Sequence, residues 1–199
     1  EAHQAVGELV LDCLKLADQL AELLSDLGVI HGQVEGALGR AERAAGASEP
    51  RHQCELARVR VAECDLWLMK PATYMNHSGA AVRSVAGFYR IPPAEVLVVH
   101  DDIDLPPGVA RLKQGGGHGG HNGVRDVIGQ LGLGFWRLRI GVGHPGTKDQ
   151  VVDAVLDRAT PAEQQLIDAA LARAQSALPE MLRNGAQSAM NHLHTEAAP

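Results

Sequence analysis

Aromatic residues are scarce in this sequence, where they make up 3% of 199 residues. A core must therefore be built from Val, Leu, Ile and Ala, and hydrophobic residues, at 45% of the chain, are numerous enough for one. Cysteine is scarce as well, with three residues, Cys13, Cys54 and Cys64. Three cysteines without CxxC spacing argue against a disulfide framework and against a zinc site. They predict buried thiols in a reducing compartment, and hence a cytoplasmic protein.

An excess of positive charge and long apolar runs are also missing. The net charge of −6, with ten histidines left out of the count, argues against a surface coated in basic charge but leaves room for one local basic face. No apolar run approaches the roughly 18 residues of a membrane span. The sequence also shows no basic segment followed by a hydrophobic block, the pattern that is typical of a secretion signal. The chain begins at Glu1 rather than Met, which predicts a fragment or a processed form.

The first half of the sequence combines helical and strand patterns. Residues 6–27 place apolar side chains at helical spacing, and residues 34–46 form a weaker helical pattern with two internal glycines. Residues 55–70 alternate polar and apolar side chains on both sides of a turn, and Pro71 ends the pattern. This alternation predicts a β-hairpin.

Strand and helix patterns alternate through the second half. A helix is predicted over 78–90 with Ser78 as its cap, and the apolar run over 95–102 is typical of a buried strand. The remaining predictions are strands at 108–114 and 135–145, a helix from His121, and helices at 161–176 (capped by Thr160) and 178–193. The alternation predicts one α/β domain over residues 1–199, with a mixed, mostly parallel sheet flanked by helices.

Polar side chains are concentrated at the ends of the predicted strands. Asn76 precedes a helix, His100 and Asp101 end a buried strand, and Asn122 lies at a helix start. Taken singly, each is explained by a cap or a turn. Open α/β sheets, however, place their sites outside the carboxyl ends of strands, so the convergence of these loops at one edge indicates a functional site.

The loop "KQGGGHGGHNG" at 113–123 allows three interpretations. A metal site would draw on mixed nitrogen and oxygen ligands, which are His100, Asp101, Asp102, His118 and His121. A cradle for a nucleotide phosphate fits poorly, because neither GxxxxGK[ST] nor a GxGxxG after a first strand is present. A nucleic-acid backbone remains open as a partner, since four basic residues flank the loop, Lys113, Arg125, Arg137 and Arg139. In the third interpretation the glycines let a large substrate approach the backbone.

Three segments together resemble bacterial-type peptidyl-tRNA hydrolases: "KPATYMNHSG" (70–79), "VVHDDIDLPPGVARLKQGGGHGGHNGVRDVI" (98–128) and "FWRLRIGVGHPG" (135–146). The resemblance covers about residues 55–193, whereas residues 1–50 are atypical. The three segments agree with the family's motifs in order, spacing and residue identity, so the resemblance is highly specific for this family. The resemblance implies a single α/β domain with a mixed sheet that cleaves the ester between a peptide and the tRNA 3′ ribose without metal or cofactor.

The resemblance also assigns roles to individual residues. Asn76 would help to polarise the ester carbonyl and would bind the peptide or the 3′ end. Asp101 would hold and charge-stabilise a catalytic histidine, and Asn122 would orient the substrate or water. Tyr74 matches an aromatic substrate contact, and basic contacts to tRNA phosphates are matched by Lys113 and Arg137. The chemistry suits these side chains, because ester hydrolysis needs an oriented base and donors for the developing oxyanion.

Residues 1–50 depart from the family, which opens with a strand, a GLGNPG turn and a TRHN segment whose histidine is the general base. None of these motifs is present, so the family's N-terminal strand is predicted to be missing. His3 begins "HQAVGELVLDCL", similar to the family's HNxGxxxxDxL, and we predict His3 as the base. His31 is the alternative, because it lies 45 positions before Asn76, close to the family's spacing, although its local match is poorer. A third alternative is that residues 1–50 are unrelated and no base is present.

The predicted function is hydrolysis of peptidyl-tRNA by a histidine base with Asp and Asn support, which releases free tRNA for reuse in translation. The alternative is a catalytically impaired relative that only binds RNA, because the N-terminal base motif is not intact. The predicted partner is the acceptor end and 3′ ester of peptidyl-tRNA. We expect no metal, no nucleotide cofactor and no membrane partner, and we expect a monomer.

Overall fold

A computed structural model describes residues 48–61, 64–143 and 159–195 of the chain. The helices predicted over 6–27 and 34–46 lie outside these residues. The described part combines two three-stranded sheets with helices, which confirms the predicted α/β class. Within it, no helix is both long enough and apolar enough to span a membrane.

The first sheet is antiparallel and consists of β1 (Ser48–Glu49), β2 (Cys54–Val61) and β3 (Cys64–Pro71). β2 and β3 pair along their whole length, starting with Cys54 opposite Pro71, and so form the predicted hairpin. The Cys54 side chain is buried together with Leu56 against Val85 of the following helix. Burial raises the pKa of the Cys54 thiol, which confirms one of the predicted buried thiols.

The second sheet is mixed and consists of β4 (Leu97–Asp102), β5 (Ala110–Gln114) and β6 (Trp136–Gly141). Its order is β4-β6-β5, with β6 parallel to β4 and antiparallel to β5. The predicted mixed character is confirmed. The expected predominance of parallel pairing does not hold among the described strands, because residues 103–109 are too short for a crossover and β5 therefore runs opposite to β4.

The helix α1 (Ser78–Tyr89) matches the prediction for 78–90, but its cap differs. Ser78 lies inside the helix, and its hydroxyl donates to the carbonyl oxygen of Met75 at 2.9 Å. The backbone N–H of Gly79 instead donates to Asp126 Oδ2 at 2.7 Å. The predicted Ser78 cap is therefore wrong, because a carboxylate from another helix already satisfies this donor.

The helix α2 (Asn122–Leu131) begins directly after His121, as predicted. Two further helices, α3 (Pro161–Asn184) and α4 (Ala186–Thr195), replace the predicted 161–176 and 178–193. The predicted break near 177 is wrong, because α3 continues through the buried Pro179 and ends at Gly185, whose φ is 86°. Burial of the helix face against the sheet outweighs the local cost of proline. Thr160 caps α3 as predicted, in a reciprocal capping box with Glu163.

The main core lies between the second sheet and the helices α3 and α4. Leu112, Leu138 and Ile140 pack from the sheet against a row of small buried residues on α3, which are Ala170, Ala174 and Ala177. A smaller cluster joins α2 to Phe135. The core is thus mostly aliphatic, as the scarcity of aromatic residues predicts. Packing on both faces of the second sheet holds the end of β4, where the polar residues lie, in a rigid frame.

Candidate active site

The end of β4 carries three polar residues in a row, and each has a different environment. Asp102 accepts a hydrogen bond from Arg139 Nε at 2.5 Å and one from the backbone N–H of Asp104 at 3.0 Å. Arg139 is on the neighbouring strand β6, and Asp104 follows Asp102 by two residues. Asp102 therefore anchors β4 to β6 and orders the turn that follows.

Asp101 pairs with a histidine of the glycine loop. Its Oδ1 lies 3.1 Å from Nε2 of His121, and Nδ1 of His121 accepts the backbone N–H of Val124 at 3.1 Å. Because Nδ1 accepts, it carries no proton, so Nε2 carries the proton and donates to Asp101. Burial raises the pKa of the Asp101 carboxyl, but the hydrogen bond from His121 and the further electrostatic effect of that ring together outweigh burial and lower the pKa overall. Asp101 is thus an ionised carboxylate beside a neutral histidine.

His100 is buried immediately before this pair, with 4% of its surface exposed. Its Nδ1 lies 2.6 Å from the carbonyl oxygen of Asp101, which has no proton, so Nδ1 is the donor. Nε2 has no hydrogen-bond partner in the described part of the chain. Burial and the neighbouring His121, whose ring lies 5.0 Å away, lower the pKa of His100 to about 4. His100 is therefore neutral at neutral pH.

Asn76 lies in a single 3-10 turn, Met75–His77, directly before α1. The turn rests on the start of α2, because a β-carbon placed on Gly123 would lie 2.5 Å from Met75 Sδ. The amide side chains of Asn76 and Asn122 are exposed and make no hydrogen bond within the described residues. Tyr74, just before the turn, is 58% exposed. These side chains are available to a ligand.

The predicted convergence is therefore present in the structure. Asn122 follows His121, which is bonded to Asp101, and Asn76 follows Met75, which contacts Gly123. The three segments meet at the carboxyl end of β4, where α/β sheets place their sites. The first sheet and the α3–α4 pair contribute none of these residues.

Two basic side chains converge on the glycine loop. A β-carbon placed on Gly116 would lie 2.8 Å from Arg137 Nη2 and 2.9 Å from Lys113 Nζ, and Gly116 has a φ of 86° that favours glycine. Arg137 is 3% exposed and donates through Nη1 to the carbonyl oxygen of Gly117 at 2.7 Å. Burial and the nearby Arg139 lower the pKa of Arg137. Lys113 is exposed, so it presents the charge of this pair to a ligand.

The metal interpretation draws on five side chains, which are His100, Asp101, Asp102, His118 and His121. Most of them are engaged as described above, and His118 Nδ1 accepts the backbone N–H of Gly120 at 3.0 Å. Among the described residues, no group of three or more His, Cys, Asp or Glu side chains is arranged to hold a metal ion. The prediction of metal-free chemistry stays a prediction.

Residues 32–199 match the model of the peptidyl-tRNA hydrolase family. The chain belongs to the peptidyl-tRNA hydrolase family. It is 50% identical over 159 residues to a peptidyl-tRNA hydrolase from Tolumonas auensis, covering 78% of this chain and 81% of the relative. It is 48% identical over 160 residues to one from Vibrio parahaemolyticus, covering 79% and 82%. These findings confirm the predicted family and the predicted class of enzyme, an ester hydrolase.

Solved structures of peptidyl-tRNA hydrolases share the fold. The enzyme from Acinetobacter baumannii has 41% sequence identity and a TM-score of 0.71, and the match covers 78% of this chain and 83% of that one. A peptidyl-tRNA hydrolase in complex with N-propanol has 40% identity and a TM-score of 0.72, with 78% and 81% covered. The fold implied by the resemblance is thereby confirmed.

His3 and His31, the two candidates for the general base, lie outside the described residues and before residue 32, where the match to the peptidyl-tRNA hydrolase family begins. The choice between them stays a prediction. Sequence reasoning missed the pairing of His121 with Asp101 and the contact of Asp126 with Gly79. The position of His121 directly before a predicted helix start is the signal that could have pointed to its capping role. No sequence signal connected Asp126 to a residue 47 positions away.

Proposed function

We propose that this chain hydrolyses the ester bond between the peptide and the tRNA of peptidyl-tRNA, and so returns free tRNA to translation. The observation that carries the proposal is the meeting of Asp101, Asn76 and Asn122 around the start of α2. An ionised carboxylate and two exposed amide groups supply the orienting group and the donors that ester hydrolysis needs. Membership of the peptidyl-tRNA hydrolase family supports the substrate.

In the proposed reaction, a histidine takes a proton from water, and the water oxygen bonds to the ester carbonyl carbon. The amides of Asn76 and Asn122 stabilise the charge that develops on the carbonyl oxygen or hold the attacking water. The bond from this carbon to the ribose oxygen then breaks, and the histidine returns its proton to that oxygen. Peptide acid and tRNA are the products.

The proposed base is His3, with His31 as the alternative. His121 is an unsuitable base, because its Nδ1 accepts from Val124 and its Nε2 donates to Asp101. A carboxylate can accept several hydrogen bonds, so Asp101 can orient a second histidine beside His121. His100 is unsuitable as well, because its ring is buried.

Substrate binding is proposed to involve Tyr74 and the two asparagines at the ester, and Lys113 and Arg137 at a phosphate. The exposed ring of Tyr74 offers a surface for stacking, and the paired cations at Gly116 attract a phosphate next to a loop without side chains. Arg137 is buried, so we propose that it adds positive charge behind the loop without a direct contact to solvent. We further propose that the whole chain, residues 1–199, forms one domain that acts as a monomer in the cytoplasm, with neither a metal nor a nucleotide cofactor.

The test is release of labelled peptide from a model peptidyl-tRNA in the presence of EDTA. We expect release by the wild-type chain, loss of release in His3→Ala, and retention in His31→Ala. The reverse pattern would assign the base to His31, and retention in both would contradict a base from residues 1–50. Binding of tRNA without any release by the wild-type chain would show the alternative, a relative that only binds RNA. A loss of release on addition of EDTA would contradict the metal-free mechanism.

A further inference from the structure

The two asparagines of the candidate site lie on different parts of the fold. Asn76 is in the turn before α1, and Asn122 is the first residue of α2. Their relative position therefore depends on how α1 and α2 are joined at their starts. A side-chain hydrogen bond joins them there, from the backbone N–H of Gly79 to Asp126 Oδ2 at 2.7 Å.

This hydrogen bond replaces a cap that α1 lacks. The residue before α1, His77, makes no capping hydrogen bond, and the Ser78 hydroxyl is directed back to Met75. The first N–H groups of a helix have no partner within the helix, so the Asp126 carboxylate satisfies a donor that is otherwise open. A negative charge at a helix start is also favourable because of the helix dipole.

The two helices meet at this point with no space between them. A β-carbon placed on Gly79 would lie 2.5 Å from the backbone carbon of Asp126, and one on Gly123 would lie 2.5 Å from Met75 Sδ. The Met75–His77 turn is therefore held between two close contacts with α2. The two contacts, at Met75 and at Gly79, lie on either side of Asn76 in the chain.

We propose that Asp126 is a positioning residue, whose carboxylate fixes the turn carrying Asn76 against the start of the helix carrying Asn122. Asp126 itself takes no part in the chemistry. This inference rests on the proposed function, because it assigns both asparagines to one ester. Reacting groups must be held within a narrow range, and a displacement of about 1 Å can reduce the rate roughly 100-fold.

The experiment compares Asp126→Ala and Asp126→Asn with a control variant, Gln130→Ala. Gln130 also joins α2 to α1, by accepting from Arg83 Nη1 at 3.2 Å, but at an exposed site away from both asparagines. We expect Asp126→Ala to lower kcat at least about tenfold and to change KM less than about twofold, whereas Gln130→Ala leaves both unchanged. Asp126→Asn should retain most of the activity, because its amide oxygen can still accept from Gly79.

A second measurement separates this inference from the proposed function. The side-chain amide signals of Asn76 and Asn122 in 1H–15N spectra should shift in Asp126→Ala and stay in place in Gln130→Ala. If the wild-type chain releases no peptide, the proposed function fails, and the spectra alone decide the positioning. Unchanged amide signals in Asp126→Ala would overturn the inference. The inference would also be overturned if Asp126→Asn lost as much kcat as Asp126→Ala. It would be overturned as well if Gln130→Ala lost as much kcat as Asp126→Ala at the same drop in Tm.

Discussion

Oδ1 of Asp101 lies 3.1 Å from Nε2 of His121, whose other ring nitrogen accepts from the backbone N–H of Val124. Both ring nitrogens of His121 are therefore committed, one as a donor and one as an acceptor. A histidine in this state holds a carboxylate in place and caps a helix, but it has no lone pair left to take a proton from water. His121 therefore holds Asp101 in place, and a different histidine is the proposed base.

The substitution His121→Ala tests this separation. We expect a loss of about 1 kcal/mol in the free energy of unfolding, because α2 loses its cap. We expect kcat to fall, but the decline of kcat/KM toward acid pH should persist, because another histidine supplies the base. The measurement is a pH–rate profile of both proteins. An acid limb that disappears in His121→Ala would make His121 the base.

The asparagines should matter for turnover far more than for folding. Asn76→Ala and Asn122→Ala should each lower kcat by roughly 100-fold, which is typical for the loss of one oxyanion donor. The free energy of unfolding should change by less than about 0.5 kcal/mol, because both side chains are exposed and unpartnered among the described residues. Gln164→Ala on α3 is the control and should change neither quantity. Parallel losses of Tm and activity would contradict the assignment.

Lys113 is expected to contribute through its charge. Lys113→Ala should weaken tRNA binding and lower the slope of log Kd against log salt by about 0.7–0.9, the value for one lost phosphate contact. The effect should be largest at low salt and shrink as salt is added. Arg183→Ala removes an exposed charge from the last turn of α3 and serves as the control. An unchanged slope in Lys113→Ala would exclude a phosphate contact.

The buried His100 predicts how stability depends on pH. Its pKa is about 4 in the folded protein and 6.5 when unperturbed, so between these values the unfolded chain binds a proton that the folded protein does not. The free energy of unfolding should therefore fall as pH drops from 6.5 toward 4, by up to about 1.4 kcal/mol per pH unit and about 3 kcal/mol in all. Urea unfolding at several pH values measures the slope. His100→Gln should reduce the slope, whereas His77→Gln at an exposed site should leave it as in wild type.

Two glycines should respond to alanine in opposite ways. A β-carbon on Gly141 would lie 2.1 Å from the carbonyl oxygen of Pro106, and the clash with backbone at a buried site should cost several kcal/mol of stability. A β-carbon on Gly87, within α1, would have no described atom within 4 Å, so Gly87→Ala should add about 0.5–1 kcal/mol through helix propensity. Thermal unfolding of both variants compares the two. Similar changes of Tm in the same direction would contradict the close approach at Gly141.

The parts of the fold that depend on local patterns were predictable from the sequence. The hairpin of β2 and β3, the capping box at Thr160 and the start of α2 at His121 all follow from short-range signals. The candidate site was predictable to the extent that Asn76, Asp101 and Asn122 end or begin elements at one edge of a sheet. The family motifs further implied one substrate class, peptidyl-tRNA.

The remaining features depend on contacts between residues far apart in the sequence. The cap of α1 comes from Asp126, 47 positions after Gly79, so a local search finds Ser78 instead. The burial of Arg137 and the direction of β5 depend on the strand order, which periodicity does not encode. The continuity of α3 through Pro179 depends on packing against the sheet, which offsets the weak local propensity.

Among the described strands, β6 is the central strand of the second sheet and the last to be synthesised, and β4 and β5 both pair with it. The pairing of β4 with β6 therefore forms only after the chain has left the ribosome as far as Gly141. A growing chain is itself a peptidyl-tRNA. Under the proposed function, this strand order delays completion of the sheet on a chain that is itself still attached to tRNA.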